Sequence, residues 1–211
     1  MQTKERTKFQ AHNVYGIPEL DAEFQAIGAE PPFYIWGDLR KSDQVQGTYL
    51  FYCEDYNFTA LWKKEMQLVN TGVKCASEVN FAMTQHNVKA EVLYNIYRKR
   101  WLARFWQNHR IRIWVDVYVN PIWWEENLLG VPQEWQAFAT RVNRYQLLPL
   151  EVQYNRLCER AKTEVKFLVY GGGEAIGQEC KKRNWFWQPG KLDLIQKEMD
   201  EQDGEKEYEK N

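Results

Sequence analysis

Glu91 to Val119 reads EVLYNIYRKRWLARFWQNHRIRIWVDVYV. At about 100° per residue, the part up to Asn108 winds into a helix. Tyr94, Tyr97, Trp101, Leu102, Phe105 and Trp106 then share one broad apolar arc, with Arg100, Arg104 and Gln107 opposite. Arg98 falls near the middle of that arc. An arginine keeps its charge there, so it is paired, stacked or in reach of solvent. Two readings follow: a stem packed on rings or held in an ion pair, or an anion anchor on a pocket floor. Ile111 to Val119 is the clearest strand of the chain, with Asp116 inside an apolar run, and Pro121 stops it.

Outward from this pair the same alternation recurs. Upstream, Thr48 to Cys53 (TYLFYC) is a strand, and a helix runs from about Asn57 to Asn70 with Leu61, Trp62, Met66 and Val69 inward. Val73 to Ala76 is the next strand, and Phe33 to Trp36 an earlier, shorter one. Downstream come a short helix over 122–129, a strand over 135–142, a helix from Pro149 to Ala161, and the strand Val165 to Tyr170. Gly171, Gly172 and Gly173 follow at once, then a helix over 175–182, and the aromatic cluster Trp185 to Trp187 with Pro189-Gly190 closes the domain.

Strand, helix, strand with short links implies parallel strands and right-handed crossovers. Continuous apolar strands suit a sheet covered on both faces. The expected fold is α/β: a partial or distorted β/α barrel-like domain with mostly parallel strands, the alternative being an open doubly wound sheet. After the first strong strand CEDYNF stands where a glycine-rich nucleotide turn would be. Residues 31–193 form this one domain, 1–30 an N-terminal extension and 194–211 an acidic tail.

Composition narrows the partners. Net charge is −1, so no global basic field draws nucleic acid. Yet every charge between Val92 and Val115 is positive: Arg98, Lys99, Arg100, Arg104, Arg110 and Arg112. Ten Trp, twelve Tyr and ten Phe suggest that some rings, Trp among them, line a surface. Cys53, Cys75, Cys158 and Cys180 show no zinc-ligand spacing, and His12, His86 and His109 form no pair. The polar start and the lack of a long apolar run point to a cytoplasmic protein with free thiols and no membrane partner.

In either architecture the site lies at the carboxyl ends of the strands. Glu54 and Asp55, Glu78 and Asn80, Asp116 and Asn120, Thr140 and Arg141, and Gly171 to Gly173 are placed there. Carboxylates on three neighbouring strand ends make Glu78 and Asp116 candidate catalytic groups. With Asp55 they are candidate ligands for Mg²⁺ or Mn²⁺. Arg98, Arg141, Asn80, Trp101 and the three glycines are candidate substrate-binding residues, the glycines because bare backbone N–H groups at a helix start accept an anion. Each has a plainer reading. Strand-end acids cap helices, and a glycine run makes a tight turn.

The motifs FYCEDYNF, ASEVNF, NIYRKRWLARFWQ, WVDVYV, FATR and FLVYGGG, in this order between about Tyr49 and Trp187, resemble a domain family of unknown function found in phages, plasmids and bacterial genomes. The resemblance implies a mobile-element setting, and through it an action on nucleic acid or in replication. Three functions are carried forward: binding, with or without processing, of nucleic acid or a nucleotide; docking of a protein partner through a Trp-rich surface; and barrel-type enzymology on a small phosphorylated substrate.

Overall fold

A computed structural model of the chain describes residues 6–38, 45–142, 147–191 and 193–195. The polar stretch 40–47, which reads from the sequence as a loop, and the acidic tail lie mostly outside these residues. Seven strands form one sheet: β1 (Phe33–Ile35), β2 (Thr48–Leu50), β3 (Cys75–Ser77), β4 (Arg112–Asp116), β5 (Ala137–Val142), β6 (Lys166–Gly171) and β7 (Phe186–Gln188). Their spatial order is their chain order, and every neighbouring pair is parallel. The order never reverses, so there is no doubly wound switch point. The sheet curls into a nearly closed barrel instead.

Contacts across the barrel show the curl. Tyr52, just past β2, stacks on Tyr170 of β6 with centroids 5.4 Å apart. Trp114 of β4 meets Phe186 of β7 edge-on at 5.8 Å. Among the described residues no ladder joins β1 to β7, and the exposed pair Lys191–Asp38, at 3.5 Å, spans that seam. The strand β7 is an addition to the sequence reading, which saw an aromatic cluster there.

The helices are α1 (Asp55–Phe58), α2 (Met66–Asn70), α3 (Lys89–Asn108), α4 (Trp124–Asn127), α5 (Leu147–Ala161) and α6 (Gly173–Lys182). The single helix expected over 57–70 is broken: α1 runs into the 3₁₀ turn Thr59–Trp62 before α2. Phe58, Leu61 and Leu68 point inward, while Met66 is exposed.

The orientation of α3 corrects the sequence reading. Arg100 and Gln107, expected outside, are buried, and Tyr94, expected inside, is half exposed. The reason is that α3 is covered on two sides. One side packs on the sheet. Along the other runs the N-terminal segment: Arg6 lies 3.5 Å over the Trp62 ring, Phe9 sits against Trp101, and the Trp101 indole donates to the Thr7 carbonyl. Gln107 mimics a backbone partner, accepting from Asp21 N and donating to Asp21 O, each at 2.9 Å.

Farther on, the N-terminal segment enters the sheet. Gln25 bridges Ile113, Ala26 N donates to Ile113 O, and Gln136 N donates to the Gln25 side chain. It wedges between the amino ends of β4 and β5, whose own ladder starts only at Val115–Phe138. The described residues include all ten tryptophans. Trp36, Trp101, Trp106, Trp114, Trp124, Trp135 and Trp185 are buried and Trp62, Trp123 and Trp187 half-buried, so no tryptophan is fully exposed. No described helix is long and apolar enough to cross a membrane.

Candidate ligand-binding site

Under the carboxyl ends of β3 and β4 lies a sealed, charge-balanced cluster. Glu78, Asp116, Lys99 and Arg100 have no exposed surface. Arg100 pairs with Glu78 and donates to the Leu129 and Asn127 carbonyls at 2.9 and 2.6 Å. Lys99 donates to the Asp116 carboxylate and carbonyl, both at 3.1 Å, and stands 3.8 Å from Glu78. Tyr52 OH and Tyr118 N donate to the other Asp116 oxygen, and Asn80 donates to the Lys99-facing one. Burial raises the Asp116 pKa, with the Lys99 charge working against the shift. Burial and the Asp116 charge likewise raise the Tyr52 hydroxyl. Two acids without these two cations would be too costly to bury.

This geometry moves Glu78 and Asp116 from the rim to the interior. Each of their four oxygens already has a protein partner. Asp55 stands apart, accepting from Ala82 N at 3.2 Å. Among the described residues no group of three His, Cys, Asp or Glu is placed to hold a metal ion. The residues present therefore do not fit the Mg²⁺ or Mn²⁺ expected from sequence.

Above the cluster the mouth of the barrel holds two adjoining cavities. The larger, about 510 Å³, lies between the ends of β1, β2, β5 and β6 and is lined by Asp38, Tyr52, Asn57, Tyr170 and Lys191 among others. The smaller, about 420 Å³, is lined by Asp55, Asn80, Thr84, Tyr118 and Asn120. Cys53, Glu54 and Arg141 line both. Arg141 is half-buried on β5, and its guanidinium makes no hydrogen bond or ion pair to any described residue. Its charge favours the ionised forms of Tyr52, Cys53 and Tyr170. Burial outweighs it: the Cys53 thiol is pushed up to about 12, first by burial and then by the Asp38 and Asp55 carboxylates. Cys53 is thus a neutral wall residue at ordinary pH.

The glycine turn is built for its backbone. Gly171, Gly172 and Gly173 have φ of +84°, +89° and +79°. A Cβ on Gly172 would stand 2.7 Å from Val142 Cγ1. The Asp193 carboxylate, held by Gly190 N at 2.8 Å, lies over this turn. Arg98 lines neither cavity. Its guanidinium stacks 4.0 Å over Phe81 and 4.7 Å over Tyr94. Trp101 is covered by the N-terminal strap.

Of the sequence candidates, Arg141, Asn80 and Asp55 meet at the smaller cavity, and Gly171 and Gly172 border the larger. Lys99 and Arg100 were hidden by their neighbours: α3 carries five cations, and spacing cannot say which two face the buried acids. Lys191 and Asp193 were hidden at the very end of the expected domain, after Pro189-Gly190.

A family model described as a domain of unknown function, DUF4417, matches residues 9–142. The chain belongs to that family. The DUF4417 match begins at Phe9, takes in the buried cluster and Arg141, and ends before α5. It thus starts before the motifs quoted above and leaves FLVYGGG outside. The chain is similar to Gene 1 protein of Mycobacterium phage L5, 28% identical over 116 residues covering 51% of this chain and 48% of the phage protein. It is also similar to Gene 1 protein of Mycobacterium phage D29, 26% identical over 119 residues covering 51% and 41%. The chain spans less than half the length of these curated relatives. No solved structure matches.

Proposed function

We propose that the barrel mouth binds a small phosphate-bearing ligand, of nucleotide or sugar-phosphate type, with Arg141 as the anion anchor. The observation that carries this is the state of Arg141: half-buried, free of any described partner, and set in the wall between two cavities. A guanidinium in such a place offers five donors in a fork that matches a phosphate. The carboxyl end of a parallel barrel is where such folds place their ligands.

A nucleic-acid strand fits less well. Of the cations between Val92 and Val115, Lys99 and Arg100 are buried in pairs, Arg98 lies on rings, Arg104 stands 3.8 Å from Asp21, and Arg112 donates to the Gln25 carbonyl. Tyr52 and Tyr170 stack on each other and offer no open face for a base. The phage relatives keep the strand reading in the test. Titration calorimetry of wild type and Arg141→Gln with ribose 5-phosphate, adenosine monophosphate and a short single-stranded DNA decides. The expected result is a monophosphate bound by wild type and at least about tenfold weaker in Arg141→Gln, the loss of one charge-assisted contact. No monophosphate binding by wild type, or equal binding by both proteins, overturns the reading. DNA bound more tightly than either monophosphate overturns the small-ligand form and favours a strand.

A further inference from the structure

The geometry points to a two-part ligand: one phosphate on Arg141 and a hydroxyl-bearing ring in the smaller cavity, selected by Asp55, Asn80 and Asn120. This rests on the Arg141 reading and deepens it.

The smaller cavity carries polar atoms with spare capacity in fixed positions. Both hydrogens of the Asn80 amide are engaged, by Asp116 at 3.0 Å and the Tyr118 carbonyl at 3.2 Å, so its oxygen is oriented as an acceptor with no described partner. Asp55 uses one oxygen on Ala82 N and leaves the other free. Asn120 uses its oxygen on Ile122 N and leaves its amide hydrogens free. Two acceptors and a donor call for hydroxyl groups, each of which donates and accepts. A site of this kind discriminates strongly against an analogue that lacks the hydroxyls, because its own polar groups are then left unpaired.

Charge sets the number of phosphates. Asp38, Glu54, Asp55 and Asp193 line the two cavities, against Arg141 and Lys191, and Lys191 already faces Asp38 at 3.5 Å. One anionic group is accommodated at the guanidinium. A second or third would meet carboxylates. The class is therefore a monophosphate of a polyol or furanose ring, not a di- or triphosphate.

The test is calorimetric titration with ethyl phosphate, which has the anion without hydroxyls, ribose 5-phosphate and ribose 5-diphosphate. Wild type, Arg141→Gln, Asp55→Asn and Asn120→Ser are compared. Asp55→Asn keeps an acceptor for Ala82 N, and Asn120→Ser keeps one for Ile122 N, so both are expected to fold, as circular dichroism checks. Ribose 5-phosphate is expected to bind at least tenfold more tightly than ethyl phosphate and than the diphosphate. Asp55→Asn and Asn120→Ser are expected to erase that gain while leaving ethyl phosphate unchanged. If ethyl phosphate binds through Arg141 but ribose 5-phosphate binds no tighter, the inference is overturned and the Arg141 reading stands. If neither compound binds wild type, the Arg141 reading falls and this inference with it.

Discussion

Replacing Arg100 by Met keeps the length of the side chain and removes its charge. Glu78 would then be fully buried with only the Asp116 N–H and a Lys99 ammonium at 3.8 Å to hold it. The Leu129 and Asn127 carbonyls would lose their guanidinium donors as well. Removing one partner of a buried pair costs about 3–5 kcal/mol, and each stranded carbonyl adds on the order of 1 kcal/mol. A loss of about 5 kcal/mol would take a large share of the roughly 5–15 kcal/mol typical of a domain. Urea unfolding followed by tryptophan emission measures it by linear extrapolation. Arg104→Met, whose partner is a half-exposed aspartate at 3.8 Å, serves as the control and should cost less than about 1 kcal/mol. Adding Glu78→Leu to Arg100→Met should restore about 2 kcal/mol or more, because the buried acid is gone. A cost for Arg100→Met near that of the control, or a double variant as unstable as the sum of its parts, would refute the buried-pair description.

Burial raises the Asp55 pKa above the ordinary carboxyl value, ahead of the opposing Ala82 N–H and Arg98. A carboxyl raised in the fold stabilises in its protonated form, and that stability is lost as pH rises through the folded value. Asp55→Asn should therefore gain stability over wild type at pH 7 and lose the advantage below pH 4, read from thermal midpoints across pH. Cys53 and Cys75, both pushed up to about 12 chiefly by burial, should resist iodoacetamide at pH 8 in the folded protein and react on unfolding, as mass spectrometry of labelled peptides shows. A Cβ at Gly177 would stand 2.7 Å from the Trp187 ring, whose indole is tied to the Gly171 carbonyl at 2.9 Å. Gly177→Ala should cost about 1–3 kcal/mol through overpacking, and a cost near zero in urea unfolding would contradict that packing.

The barrel was legible because its strands TYLFYC, WVDVYV and FLVY are apolar without alternation, as strands buried on both faces must be. Short links between them left parallel pairing as the simplest path. What escaped was set by contacts distant in sequence. The strand β7 is three residues of an aromatic cluster, and only its ladder with β6 makes it a strand. The face of α3 was misjudged because the strap at Arg6 to Phe9 covers the aromatic arc around Trp101, while Arg100 and Gln107 on the opposite side are buried against Glu78 and Asp21. Glu78 and Asp116 were rightly flagged as acids needing a reason. The reason is Lys99 and Arg100 beneath the rim, which no spacing rule distinguishes from Arg98 beside them. Arg141 was one of several cations in the sequence and stands out only once Lys99, Arg100, Arg104 and Arg112 are seen to have partners and Arg141 to line both cavities.

The most direct measurement is anomalous diffraction from a crystal soaked in tungstate, a tetrahedral oxyanion that scatters strongly. The expected result is a peak in contact with the Arg141 guanidinium, between the Asn80 side of the mouth and the Tyr170 side, absent from Arg141→Gln crystals. An empty mouth, with Arg141 folded onto a carboxylate of its own chain, would contradict the claim that this arginine is held free for a ligand.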